Sequence, residues 1–295
     1  MSPFVLYCKS YRTDLKRVER LARSIQKYNV DRIPFYLSTP RADIALFQER
    51  LKGFDVELVT DESIIALNPL IDPTRLAALA GSLSQQIVKS EFWRTEVAVA
   101  YMCLDSDCIF IRPFRIHEFI STEGTPYTVM DEGRDLLYPV LSRDKTKVIE
   151  NFHRESLEVQ RAFGRDGKHY NYGPNCPIWD SRVWASLDKH YARPAGLSLL
   201  DLILKSGNEQ RWYGEALLKY RAIDLLPSQP FFKMYHYAWQ QRFDRRLGIQ
   251  EKQLERLYCG VAYQSAWERE MDWPSEGGNW LSRLGRRIRR ALNRI

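Results

Sequence analysis

Residues 103–113 read CLDSDCIFIRP, which sets two carboxylates, Asp105 and Asp107, one residue apart behind the continuous apolar run 97–104. Carboxylates so spaced can approach one divalent cation from the same side of a turn. Hard cations such as Mn2+ or Mg2+ prefer oxygen ligands and share their shell with substrate phosphates. Spacing alone carries little: 18 aspartates in 295 residues give about one such pair by chance, and the competing reading is a turn whose Asp side chains bond the local backbone. Position adds weight, because ligands of an open α/β sheet bind at the carboxyl ends of its strands.

The elements that must position this pair follow from periodicity. Short apolar runs at 4–8, 33–38 and 56–60 alternate with amphipathic stretches at 15–29 and 42–51, and residues 83–93 read as a helix just before the strand at 97–104. Such alternation predicts an α/β fold with a mostly parallel sheet and helices on its faces. The run 97–104 lacks polar alternation, as expected of a strand covered on both faces. Beyond it the regularity weakens: short strands at 108–111 and 127–130, a long helix at 145–163, a polar loop at 164–177, a return to the sheet at 178–179, helices at 182–191, 199–205 and 213–220, and an aromatic run at 231–239.

Composition excludes several classes. With 44% hydrophobic, 27% charged and 13% aromatic residues the chain can bury a full core and is neither disordered nor fibrous. No apolar run approaches the roughly 18 residues of a membrane span, and the N-terminal apolar stretch is too short and too soon charged for a signal peptide, which predicts a cytoplasmic protein. Cysteines at 8, 103, 108, 176 and 259 form no CxxC pair, so reduced, buried thiols are expected. The net charge of +7 is local: six arginines lie in the last sixteen positions, and the remaining 38 basic and 37 acidic residues nearly cancel. A groove following a phosphate backbone would spread its cations over the body, so no nucleic-acid partner is expected.

Taken together, the first strand and helix, Lys89 sixteen residues before the motif, and VAYMCLDSDCIFIRPF resemble the nucleotide-sugar-binding core of GT-A-fold glycosyltransferases, closest to a poorly characterised bacterial family of such enzymes, over about residues 4–240. The resemblance implies a GT-A-like, Rossmann-like sheet and a Mn2+ or Mg2+ ion held by Asp105 and Asp107 against the donor diphosphate. NYGPNCPIWDSRVW (171–184) resembles the segment lining the sugar pocket. FFKMYHYAW (231–239) resembles the segment whose histidine completes the metal shell, which makes His236 the third ligand. Tyr11 and Asp14 then follow the first strand where base and ribose would sit, Lys89 would reach a phosphate, and Ser106 lies between the two carboxylates with the donor.

Such a reaction needs the cation to stabilise the departing diphosphate, and a further carboxylate to deprotonate the acceptor hydroxyl or stabilise the oxocarbenium-like centre. Glu215 in RWYGEALL is the first candidate, because aromatic faces suit sugar C–H surfaces and glycine allows close approach. Asp131 and Glu132 in TVMDEGRD are the alternatives. For Glu215 the competing reading is a first-turn helix residue favoured by the dipole.

The expected function is transfer of a sugar from a nucleotide donor, a UDP-sugar first, to a cell-surface glycan or lipid-linked acceptor. The alternatives are a metal-dependent phosphoryl transferase or hydrolase, against which the absence of a GxxxxGK[ST] loop counts for NTPases, and a non-catalytic membrane-docked scaffold. The expected division is a catalytic domain over 1–276, with a nucleotide-binding half at 1–112 and an acceptor half at 113–276, followed by a basic amphipathic helix at 277–295. In that last segment apolar residues recur at helical spacing among the arginines, the pattern of a helix lying on an anionic membrane surface. It would hold the enzyme at the inner face of the cell membrane.

Overall fold

The computed structural model describes residues 1–141, 146–173, 175–206 and 208–265; the expected helix at 277–295 lies outside them. Among the described residues ten strands run β1 Ser2–Lys9, β2 Phe35–Thr39, β3 Glu57–Thr60, β4 Ala98–Leu104, β5 Cys108–Phe110, β6 Tyr127–Val129, β7 Ile178–Asp180, β8 Leu226–Ser228, β9 Phe232–Tyr235 and β10 Gly260–Tyr263. The α-helices are α1 Leu15–Tyr28, α2 Ile44–Arg50, α3 Asp61–Ile65, α4 Pro73–Ala77, α5 Gly81–Glu91, α6 Arg134–Leu141, α7 Thr146–Ala162, α8 Ser181–Leu187, α9 Leu199–Ser206, α10 Glu209–Tyr220, α11 Ala238–Arg246 and α12 Glu251–Leu254.

Five strands form the central sheet in the order β3-β2-β1-β4-β7; the first four are mutually parallel and β7 is antiparallel to β4. The expected α/β class and mostly parallel sheet are met. Register places Val5 opposite Tyr101 and Leu6 opposite Met102. Side chains of a strand alternate between faces, and here both faces are packed. Phe4, Leu6, Cys8, Ala100, Met102 and Leu104 join the core that includes Val18, Leu21 and Ile25 of α1. Val5, Tyr7, Tyr101 and Cys103 join the opposite core with residues of α5, α8, α9 and α10. Burial on both faces explains the unbroken apolar run of β4.

Two smaller sheets, β5-β10-β9 and β6-β8, flank the central one. β10 pairs antiparallel with β5 directly after the Asp pair, and the Tyr263 amide donates to the Asp107 carbonyl at 3.1 Å. The last described turn of chain is thereby tied to the motif.

Aromatic rings fix α5 on the sheet. Tyr7 and Phe92 stack at 3.7 Å between centroids, Phe92 meets Tyr101 edge-on at 5.1 Å, and the Tyr101 hydroxyl donates to the Lys89 carbonyl at 3.2 Å. Just beyond α5, Arg94 bridges two buried carboxylates, reaching Glu91 at 2.5 Å and Asp188 at 2.7 Å. Burial raises the Glu91 pKa and the Arg94 cation opposes that rise. Removing one partner of such a group leaves charge unpaired in a dry interior, so Arg94→Met is expected to cost about 3–5 kcal/mol of stability, measured by chemical denaturation.

Candidate active site

β1 is flanked by β2 on one side and β4 on the other, so the chain order reverses between β1 and β4, and the crevice at their carboxyl ends is where ligands of such sheets bind. Lys9 ends β1 with Ser10 just after it, and Asp105 follows Leu104 at the end of β4.

The Lys89 ammonium, on the last turn of α5, forms an ion pair with the Asp105 carboxylate; its side chain is 7% exposed against 30% for Asp105. Burial, the largest single influence, would lower the Lys89 pKa, but the charge and hydrogen bond of Asp105, together with Cys103 and Glu209, outweigh it and raise the pKa well above the usual lysine range. Lys89 is therefore a fixed cation. Beside it stands Glu209, the first residue of α10, whose carboxyl burial pushes up to about 7 while Lys89 pulls it down. Lys89, Asp105 and Glu209 thus form one electrostatically coupled group. Glu209 was absent from the sequence candidates because the expected helix began at 213. Asn208, whose side chain caps α10 by accepting from the Arg211 amide at 3.1 Å, was the signal that could have found it.

Asp107 points elsewhere. Its Oδ2 accepts from the Ser265 amide at 2.8 Å, and with Ser106 it lines a narrow cleft shared with Arg17 and Arg20 of α1. Asp14 pairs with Arg17 at the start of α1. Tyr11 is exposed, with the Lys9 ammonium 5.7 Å from its ring centroid.

His236 is buried on a different wall. It lines a cavity of about 610 Å3 together with Asp131, Asn171, Asn175 and Trp239. The backbones of Asp131 and Asn171 exchange hydrogen bonds at 3.1 and 2.7 Å, and Asp131 Oδ1 accepts from the Gly133 amide at 2.5 Å. Asn175 joins this cavity to β5, the strand after the Asp pair: its Oδ1 accepts from Cys108 Sγ at 3.4 Å and from Cys176 Sγ at 3.2 Å. The Nδ2 of Asn175 and the indole N–H of Trp239 are buried donors with no acceptor among the described residues. Buried polar groups are nearly always paired, so these two await a ligand or water oxygen.

Glu215 is 2% exposed and clamped by both arms of Arg165, each at 2.6 Å, and by the Tyr172 hydroxyl at 2.9 Å. Gly214 lets the ring of Tyr172 lie against α10: a Cβ there would stand 2.1 Å from a ring carbon. The close approach expected of this glycine is thus to a neighbouring tyrosine. Glu132 is a surface residue paired with Lys168 at 2.5 Å and Arg134 at 3.2 Å.

The structure therefore unites Lys89 with Asp105, Ser106 with Asp107, and Asp131 with His236. Among the described residues no three His, Cys, Asp or Glu side chains stand together as a ready metal cage. The donor chemistry of the motif still suits a hard cation: two carboxylates at a strand end, one of them partly open to solvent.

The fold is similar to that of solved glycosyltransferases. It matches the apo structure of the bifunctional glycosyltransferase WbbM with a TM-score of 0.50 at 8% identity, over 88% of this chain and 45% of that one. Mouse xyloside xylosyltransferase 1 in its apo form gives 0.49 at 10% identity, over 90% of this chain and 98% of that one. The galactosyltransferase LgtC, with donor and acceptor sugar analogues, gives 0.48 at 11%, over 88% and 86%. Identities this low speak to fold alone. The chain itself belongs to a family described as a family of unknown function (DUF6492), whose model matches residues 3–187. No curated protein matches the sequence.

Coupling at Glu209 has a consequence for stability. Its pKa is higher folded than in the unfolded chain, where a glutamate titrates near about 4.3, so the folded state binds the extra proton between that value and about 7. Stability is then fully present below that window and falls as pH rises through it. Glu209→Gln is expected to flatten this slope, by on the order of 2–3 kcal/mol between pH 5 and 8, in denaturation series across that range.

Proposed function

We propose that this protein transfers a sugar from a nucleotide-diphosphate donor, a UDP-sugar first, to a glycan or lipid-linked acceptor, with Mn2+ or Mg2+ bound at the Asp105–Asp107 motif. The observation that carries the reading is the coupled group Lys89, Asp105 and Glu209 at the carboxyl end of β4, in the crevice of a GT-A-like sheet. A metal held at the Asp105–Asp107 motif would supply Lewis-acid stabilisation of the leaving diphosphate, while His236, the third ligand expected from the sequence, lines the cavity with Asp131.

The chain's own residues do the rest. Lys89 is a buried, permanently charged donor beside the motif, suited to a phosphate oxygen. Tyr11 and Asp14 follow the end of β1, on the side proposed for base and ribose, and Ser106, in the cleft with Asp107, is proposed to face the donor. The cavity with Asp131, Asn171, Asn175 and Trp239 is proposed to hold the sugar acceptor, its two unmatched N–H donors meeting hydroxyl oxygens. Asp131 faces that cavity and is the carboxylate best placed to take the acceptor's proton. Glu209, titrating near neutrality, holds or stabilises charge on the donor side. Glu215 fixes Tyr172 and so the loop that carries Asn171 and Asn175, and Glu132 borders the same turn. The basic helix expected at 277–295 is proposed to keep the enzyme on the inner membrane face, where lipid-linked acceptors are displayed. Among the described residues no helix is long and apolar enough to cross a membrane.

The decisive experiment is a thermal-shift and transfer screen of nucleotide sugars with and without Mn2+. A donor at a hundredfold excess over its Kd adds about 2.7 kcal/mol, a shift of several degrees. The gain is expected to require Mn2+ and to vanish in Asp107→Ala. Donor stabilisation undiminished by chelator, or full transfer by Asp107→Ala, would overturn the metal assignment.

A second measurement separates the carboxylates. Asp131→Asn is expected to lower turnover about 10²–10⁴-fold with donor affinity kept, the signature of a lost proton acceptor. Glu209→Gln is expected to abolish the inflection in the pH–rate profile near pH 7. Glu215→Gln is expected to lower Tm as well as turnover, since it loosens a buried clamp.

A further inference from the structure

The mouth of the 610 Å3 cavity carries side chains that a protein surface seldom leaves in water. Tyr138 is 73% exposed, Phe243 55% and Leu257 79%, and all three line the cavity. Leu247, 61% exposed, caps the C-terminal end of α11, its amide donating to the Phe243 carbonyl at 3.2 Å. Contiguous exposed apolar groups of this kind mark a surface meant for contact.

The charge around this rim selects the kind of contact. Between residues 242 and 257 the exposed cations are Arg242, Arg245, Arg246, Lys252 and Arg256. The segment holds three acids, and two are engaged by the protein's own hydroxyls: Tyr235 donates to Asp244 at 2.8 Å and Tyr263 to Glu251 at 3.1 Å. Apolar side chains at the tip and arginines around them match a bilayer interface, with acyl chains below and anionic head groups at the level of the cations.

We propose that the α11–α12 segment, with Phe243, Leu247 and Leu257 at its apex, is a docking surface for an anionic phospholipid membrane and presses the mouth of the cavity onto it. The cavity then opens at the lipid surface, and a molecule entering it comes from the membrane plane. The docking step itself does not rest on the transferase reading, since it is measured with neither donor nor acceptor. It is also distinct from any hold exerted by residues 277–295.

The test reads position, so that binding through another part of the chain cannot imitate it. The five native cysteines are buried, which lets a single exposed thiol in the full-length chain be labelled with an environment-sensitive fluorophore. A label at Leu257→Cys is expected to shift to the blue and brighten with phosphatidylglycerol vesicles, but not with phosphatidylcholine vesicles. A label at Leu46→Cys, on exposed α2 remote in sequence from this segment, is expected to stay unchanged. Reversing Arg242 and Arg246 to Glu in the full-length chain is expected to weaken vesicle partition by about fivefold or more for each arginine. An unshifted label at 257 while the chain still binds vesicles would overturn the proposal. So would equal shifts at 46 and 257, equal response to both lipids, or a shift at 257 on concentrating the protein without lipid, which would mark the rim as a self-association surface.

Discussion

Everything at the candidate site depends on one ion pair, Lys89 with Asp105. An ammonium that is 7% exposed is tolerable only beside a fixed anion, since an uncompensated charge there would be expelled or neutralised. Lys89 can face Asp105 only if α5 lies at one height on the sheet, and the ring contacts of Tyr7, Phe92 and Tyr101 set that height. The same pair shapes Glu209, whose burial would otherwise make its ionised form still less accessible. One helix, one strand end and the start of another helix are thus locked by electrostatics that no single element supplies.

The two halves of the Asp-x-Asp motif have separate structural duties. Asp105 faces Lys89 and the dry side of the sheet, whereas Asp107 is caught between α1 and the end of β10, accepting from the Ser265 amide. The motif is therefore a junction between both cores and the β5-β10-β9 sheet, besides its proposed role as a pair of oxygen ligands. Asn175 makes a similar bridge, bonded to the thiols of Cys108 and Cys176 on one side and open to the large cavity on the other.

Much of the first hundred residues was legible from hydrophobic periodicity, because β1 to β4 and the helices between them bury continuous or regularly spaced apolar faces. β4 was expected at 97–104 and spans Ala98–Leu104, and the long helix expected at 145–163 spans Thr146–Ala162. Legibility failed where polar or aromatic residues are buried by partners far away in sequence. Glu209 and Arg211 are buried, so the first turn of α10 shows none of the polar solvent face that periodicity looks for, and the helix was begun too late. Pairing of β10 with both β5 and β9 depends on contacts across more than a hundred residues in one direction, which no local pattern encodes. Of the site, the Asp pair and Asp131 could be named from residue type and position, and Lys89 and His236 from the family resemblance. That Asp131 and His236 share one cavity while Lys89 holds Asp105 could not, since side-chain direction at a loop is set by tertiary packing.

The strand order has a consequence during synthesis. β1, β2 and β3 are complete by residue 60, but the strand that covers the other edge of β1 is β4, which ends at residue 104, with β7 later still. Until then the emerging chain carries β1 as an open edge whose residues 4–8 are all apolar and, in the finished protein, fully buried. Such an edge is a template for pairing with another chain, and parallel pairing at this sequence separation is slow because loop-closure entropy must be met first. The interval between residues 60 and 104 is therefore the window in which the nascent protein most needs protection from its neighbours on the ribosome.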